Sequence, residues 1–169
     1  MKKWAFLFSF LFVLTFSFTA CNDDEPDTGE METLTIIPGQ GINNLKIGDP
    51  GSQVMVELGE GFETIINVGG SGNANYNYFH LTKGIDIIFG QYDSGEYDID
   101  TLPIQSFSLF EGFKGMTAEG IQLGSTRADV IAAYGNPDQE QFGANVYNIG
   151  LVISYNSDDK VRDIVVIEI

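Results

Sequence analysis

Two stretches of the chain repeat one another, and this repeat limits the fold more than any other feature. "KIGDPGSQVMVELGEG" (46–61) and "QLGSTRADVIAAYGNP" (122–137) both read glycine, five residues, valine, four residues, glycine. The landmarks are Gly48, Val54 and Gly59 in the first copy, and Gly124, Val130 and Gly135 in the second. Gly41-Ile42 and Gly120-Ile121 precede them, while "GIDIIF" (84–89) and "GLVISY" (150–155) follow. Further on, Ile99, Leu102 and Ile104 match the spacing of Val161, Ile164 and Val166. Landmarks kept in one order over such lengths predict a tandem duplication.

Each copy reads as a short helix followed by strands. Val54, Met55 and Leu58, like Val130, Ile131 and Tyr134, fall on one stripe at helical spacing. Gly59 and Gly135 suit the position after a helix end, and Pro137 prevents continuation. Asp49 and Ser125 are candidate N-caps, with Pro50 as a first-turn proline; Thr126 with Asp129 offers a capping box one residue later. Strands are expected near 64–68, 76–82, 85–92 and 102–109, then near 139–142, 145–149, 151–155 and 161–169, with a turn at 156–160. One short helix covers a sheet poorly. The units 34–110 and 111–169 are therefore expected to pack as one α+β body, each a short helix on an antiparallel sheet of three to four strands. A single cysteine leaves that body to stand on its apolar core.

The chain opens on Lys2 and Lys3, an apolar run from Trp4 to Phe18, and the small pair Thr19-Ala20 before Cys21. That pattern predicts a signal peptide over 1–20. With Cys21 first after the cleavage site, the segment resembles a bacterial lipobox, with Phe18 where leucine or valine is usual. The resemblance implies that Cys21 carries acyl chains such as palmitate, a membrane anchor stabilised by about 0.8 kcal/mol per buried methylene. Residues 21–33 are rich in acids and poor in apolar residues, which predicts an extended tether. Cys21-Asn22-Asp23-Asp24-Glu25 resembles the export signal of Bacteroidetes-type surface lipoproteins. That likeness assigns Asp23, Asp24 and Glu25 to display on the outer face of the outer membrane, the periplasmic leaflet being the alternative.

The pattern Gly124-x-Thr126-x3-Val130-x4-Gly135-x-Pro137, with aromatic-bearing strands after it, resembles the SmpA/OmlA lipoprotein family. The likeness covers about 120–169, and 41–106 more loosely, with Asp49-Pro50 replacing the Ser-Thr pair. It implies helices on an antiparallel sheet, the scaffold duplicated in the β-lactamase inhibitor protein, and a role in binding other proteins of the cell envelope.

A formal net charge of −16 argues against nucleic-acid partners, whose phosphates require clustered Lys and Arg. His80, the single histidine, has no nucleophile elbow to serve, so no catalytic residue is assigned. Asp93, Glu96, Asp98 and Asp100 lack the spacing of a calcium loop, and the glycine-rich 69–78 stretch lacks the lysine of a phosphate loop. Neither metal nor cofactor is expected. The 69–78 stretch reads instead as a hairpin tip carrying Tyr76 and Tyr78, with Tyr97 nearby as a further candidate binding residue. Two readings follow: an outer-membrane or surface lipoprotein that binds a protein without catalysis, or a glycan-binding accessory protein stacking sugars on those tyrosines. A hydrolase is a third class that no residue supports.

Overall fold

Helix capping and glycine placement decide where the first elements lie. A computed structural model describes residues 33–68, 73–93 and 97–169. The elements run β1 (Leu34–Ile37), β2 (Gly41–Ile42), β3 (Leu45–Lys46), α1 (Ser52–Leu58), β4 (Glu63–Val68), β5 (Asn73–His80) and β6 (Ile85–Asp93). After a 3-10 turn at Ile99–Thr101 come β7 (Ser106–Leu109), β8 (Gly115–Thr117), α2 (Arg127–Tyr134), β9 (Gln139–Gln141), β10 (Ala144–Tyr147), β11 (Leu151–Tyr155) and β12 (Val161–Ile167).

The helix of the second half has the stronger start. Thr126 Oγ1 accepts from the Asp129 N–H at 3.1 Å, and Asp129 Oδ2 accepts from the Thr126 N–H at 2.9 Å, completing a capping box. Asp49 and Ser125 are not caps. Each instead closes the turn before its helix, accepting from Lys46 N–H at 2.8 Å and from Gln122 N–H at 3.1 Å. The N-cap of α1 is Gly51, with no side-chain bond, and Pro50 lies just outside the helix. Both helices end on a glycine with positive φ, Gly59 at 76° and Gly135 at 80°.

Eight antiparallel strands form the main sheet in the order β4-β5-β6-β7-β12-β11-β10-β9. A second sheet, β3-β2-β1-β8, was not foreseen; within it β1 and β8 run parallel, pairing Leu34 with Gly115. Alternation along the main strands turns Ile85, Ile87, Phe107, Leu109, Leu151, Ile153, Ile164 and Val166 to one face, where all are buried. Val54 and Leu58 of α1, Val130 of α2, and Ile36, Ile42 and Leu45 of the small sheet join them in one core. The architecture is α+β.

Hydrogen bonds recur in pairs across the two halves. Gly48 N–H donates to Ile104 O at 2.7 Å, and Gly124 N–H to Val161 O at 2.8 Å. Ile104 N–H donates to Asp49 O at 2.9 Å, and Val161 N–H to Ser125 O at 2.8 Å. Phe110 N–H donates to Gly84 O at 2.9 Å, and Ile167 N–H to Gly150 O at 3.1 Å. Gly84 and Gly150 have φ of 64° and 82° and no room for a Cβ, which explains the glycine leading each matched strand. These pairs match Ile104 with Val161, not with Val166. The spacing match of Ile99, Leu102 and Ile104 to Val161, Ile164 and Val166 is therefore out of register. Ile99 lies in the 3-10 turn, and it is Phe107 and Leu109 that face Ile87 and Ile85, as Ile164 and Val166 face Ile153 and Leu151.

Candidate binding surface

The face of the main sheet opposite the core offers the broadest surface for an encounter. One cross-strand row runs Phe79, Asp86, Ser108, Val165, Val152, Val146, and its neighbour runs Asn77, Ile88, Ser106, Ile167. Every one of these side chains is partly exposed, none buried. The row composition follows from strand alternation: the residues between them point into the core. Phe79 stacks on Phe110 with centroids 5.5 Å apart and planes 10° apart. Asn77 Nδ2 donates to both carboxylate oxygens of Asp86, at 2.9 and 3.1 Å. Burial raises the Asp86 carboxyl above its ordinary range, and the Asn77 bond works against that. Ser108 and Val165 pair at the centre, where β7 meets β12. The result is a wide face of small and apolar side chains that also carries the acids Asp86, Glu63 beside Phe79, and Asp163 beside Ser154.

The tyrosines singled out in sequence occupy a different place. Tyr76 and Tyr78 lie in β5, not in a loop, and are 3% and 5% exposed. Their rings point to the core because the Asn-Ala-Asn-Tyr-Asn-Tyr run alternates as a strand, so neither offers a stacking platform. Tyr97, 37% exposed, sits against Tyr76 and Tyr92 with centroids 5.8 and 5.0 Å away. Near it on the sheet, Ile66 and Val68 of edge strand β4 share the face of Tyr76 and Ala74 yet remain exposed. Tyr97 Oη donates to Asp93 Oδ1 and Tyr78 Oη to Asp100 Oδ1, each at 2.5 Å. The Asp93 bond raises the Tyr97 phenol above its usual value; burial first, then the Asp100 bond, raises that of Tyr78. Both stay neutral hydrogen-bond donors, unsuited to act as nucleophiles at neutral pH.

His80 is held locally. Its Nδ1 accepts from the Lys83 N–H at 3.3 Å, and its ring meets Phe62 edge-on at 5.1 Å. Among the described residues, no group of three or more His, Cys, Asp or Glu could hold a metal ion. Nor is any described helix long and apolar enough to cross a membrane. Cys21, Asp23, Asp24 and Glu25 lie outside the described residues, as do the glycine run 69–72 and Glu96. Ser108, Val165 and Asp86 were passed over in sequence. The signal that finds them is the alternation in "SFSL" and "VRDIVVI", once the core-facing set is known. No protein-family model matches the chain, and neither does any curated protein or solved structure.

Proposed function

We propose that this chain is a lipid-anchored module of the outer membrane that acts by binding another envelope protein across its open sheet face. The observation that carries the reading is that uncovered face. Eight strands about 4.8 Å apart, with about five residues each at roughly 3.4 Å, span on the order of 650 Å². A stable protein interface buries about 800 Å² per partner, so the face approaches a full docking surface. Its half-exposed apolar rows supply the desolvation that drives association, and the acids set among them suit a protein better than a polyanion.

Two further parts belong to the same proposal. Cys21 is the anchor, with Asp23, Asp24 and Glu25 as the address that places the domain at the cell surface. The body is a tandem duplication, supported by the paired hydrogen bonds and by a strand order that reads the same from either edge, with Ser108 and Val165 at its centre. The likeness of 120–169 to the SmpA/OmlA lipoproteins agrees with an adaptor role. Glycan binding remains the second reading on one observation, the exposed Tyr97 ring beside Tyr92.

The test is capture of envelope proteins by the wild-type chain and by Ser108→Arg, with circular dichroism confirming that both fold. Loss of a specific partner in the variant is the expected result. A partner retained equally by Ser108→Arg, or lost instead in Tyr97→Ala together with glycan binding, would overturn the reading.

A further inference from the structure

A cavity of about 220 Å³ opens between the C-terminal end of α1, the start of β6 and the start of β1. Leu34, Leu58 and Ile85 give it apolar walls, and Lys83, Lys114 and Glu57 supply its charges. Lys83 Nζ donates to Leu58 O and lies 5.7 Å from the Phe62 ring centroid, which fixes its ammonium at the wall. Lys114 makes no ion pair among the described residues, and neither lysine pairs with Glu57; the ion pairs there are Arg127–Asp159 and Arg162–Asp163. On a chain of net charge −16, two cations at one apolar cavity, neither ion-paired to the Glu57 that shares its lining, are unusual. The scaffold does not demand them. At the matching place in the second half, Ile149 precedes Gly150 as Lys83 precedes Gly84. There Tyr134 takes the position of Leu58, its ring packing on Tyr147.

We propose that this cavity binds a small carboxylate bearing one aromatic or branched apolar group. An apolar cavity of about 150 Å³ accepts benzene, so this one, open to solvent at its mouth, has room for a single ring or a leucine-sized group. The apolar group fills the space lined by Leu34, Leu58 and Ile85, while the carboxylate meets Lys83 and Lys114 at the mouth. Such a group arrives either as a free acid or as the last residue of a polypeptide. The site lies apart from the open sheet face and stands whether or not that face binds a protein.

Titration of the full chain in detergent with phenylacetate, followed through the amide resonances of Ile85 and Lys114, tests it. Saturable shifts with a Kd on the order of 1 mM are expected for a ligand this small. The neutral isostere 2-phenylethanol should bind several-fold more weakly. Lys114→Gln should weaken phenylacetate binding by about 1.5-fold to fivefold, the range for a solvent-facing charge pair, and Lys114→Arg should restore it. Lys114 is exposed and supports no other side chain, so both variants should fold. Gly-Gly-Phe with a free or amidated C-terminus separates the sources: tighter binding than phenylacetate, lost on amidation, assigns the site to chain ends, and otherwise it belongs to free acids. Absence of saturable shifts, equal binding of 2-phenylethanol, or an unchanged Lys114→Gln would overturn the proposal.

Discussion

Truncating Val54 or Val130 to alanine removes two methyl groups from a buried helix position in each half, the same position if the body is the proposed duplication. Both valines are 0% exposed and sit in one core with the strands they face. The transfer term is about 1.6 kcal/mol, at ~0.8 kcal/mol per buried methylene. An unrelaxed cavity of roughly 50 Å³ adds up to about 1 kcal/mol, at ~24 cal/mol per Å³. Each variant should therefore lose about 2–3 kcal/mol, a large share of the ~5–15 kcal/mol expected for the whole domain. For a body of this size that lowers Tm by about 8–12 °C. Urea and thermal unfolding followed by far-UV circular dichroism would read both shifts. The two losses should agree to within about 1 kcal/mol, and the double variant should sum them in a single transition. The reasoning fails if one valine matters by less than about 0.5 kcal/mol, the surface range, or if the halves melt separately.

Thr126→Ala should destabilise the body by about 1 kcal/mol in urea unfolding, because the cap of α2 is lost. The Asp129 carboxyl, held low by its bonds to Thr126, contributes stability above its unfolded pKa that is lost as pH falls through the folded value. In Thr126→Ala that acid-side loss should shrink. Asp86 has the opposite sign. Its carboxyl is raised above the ordinary value of 3.8, so the folded state holds the proton more tightly and stability declines as pH rises through the raised pKa. Asp86→Asn should accordingly raise Tm at neutral pH and lose that advantage at pH below the carboxylate range; a uniform shift at every pH would contradict the burial account. Cys21→Ala should move the protein out of the detergent phase on phase separation, and unchanged partitioning would remove the anchor from the proposal.

The helices and most main-sheet strands were legible because they are long enough to show a period. Val54 and Leu58 recur at helical spacing, and the Gly59 and Gly135 stops mark both ends. The small sheet was hidden, since β2 and β3 hold two residues each and no alternation can be read from Gly41-Ile42 or Leu45-Lys46. The out-of-register match of Ile99, Leu102 and Ile104 has a similar origin. All three are apolar and partly or fully buried, but a 3-10 turn separates their spacing from that of a strand. Tyr76 and Tyr78 were misplaced because their glycine-rich neighbours suggested a tip, while the alternation that buries them was already present in "NANYNY". Nothing local could reveal the open face. It depends on β7 pairing with β12, a contact between residues far apart in sequence, which is settled only when both halves fold against one core.

Photo-crosslinking from Ser108 in intact cells tests the open-face proposal most directly, because that side chain lies at the centre of the uncovered sheet. The account predicts one discrete protein adduct, absent when the crosslinker is placed instead at exposed Lys160 in the 156–160 turn. No adduct from Ser108, or the same adducts from both positions, would contradict it.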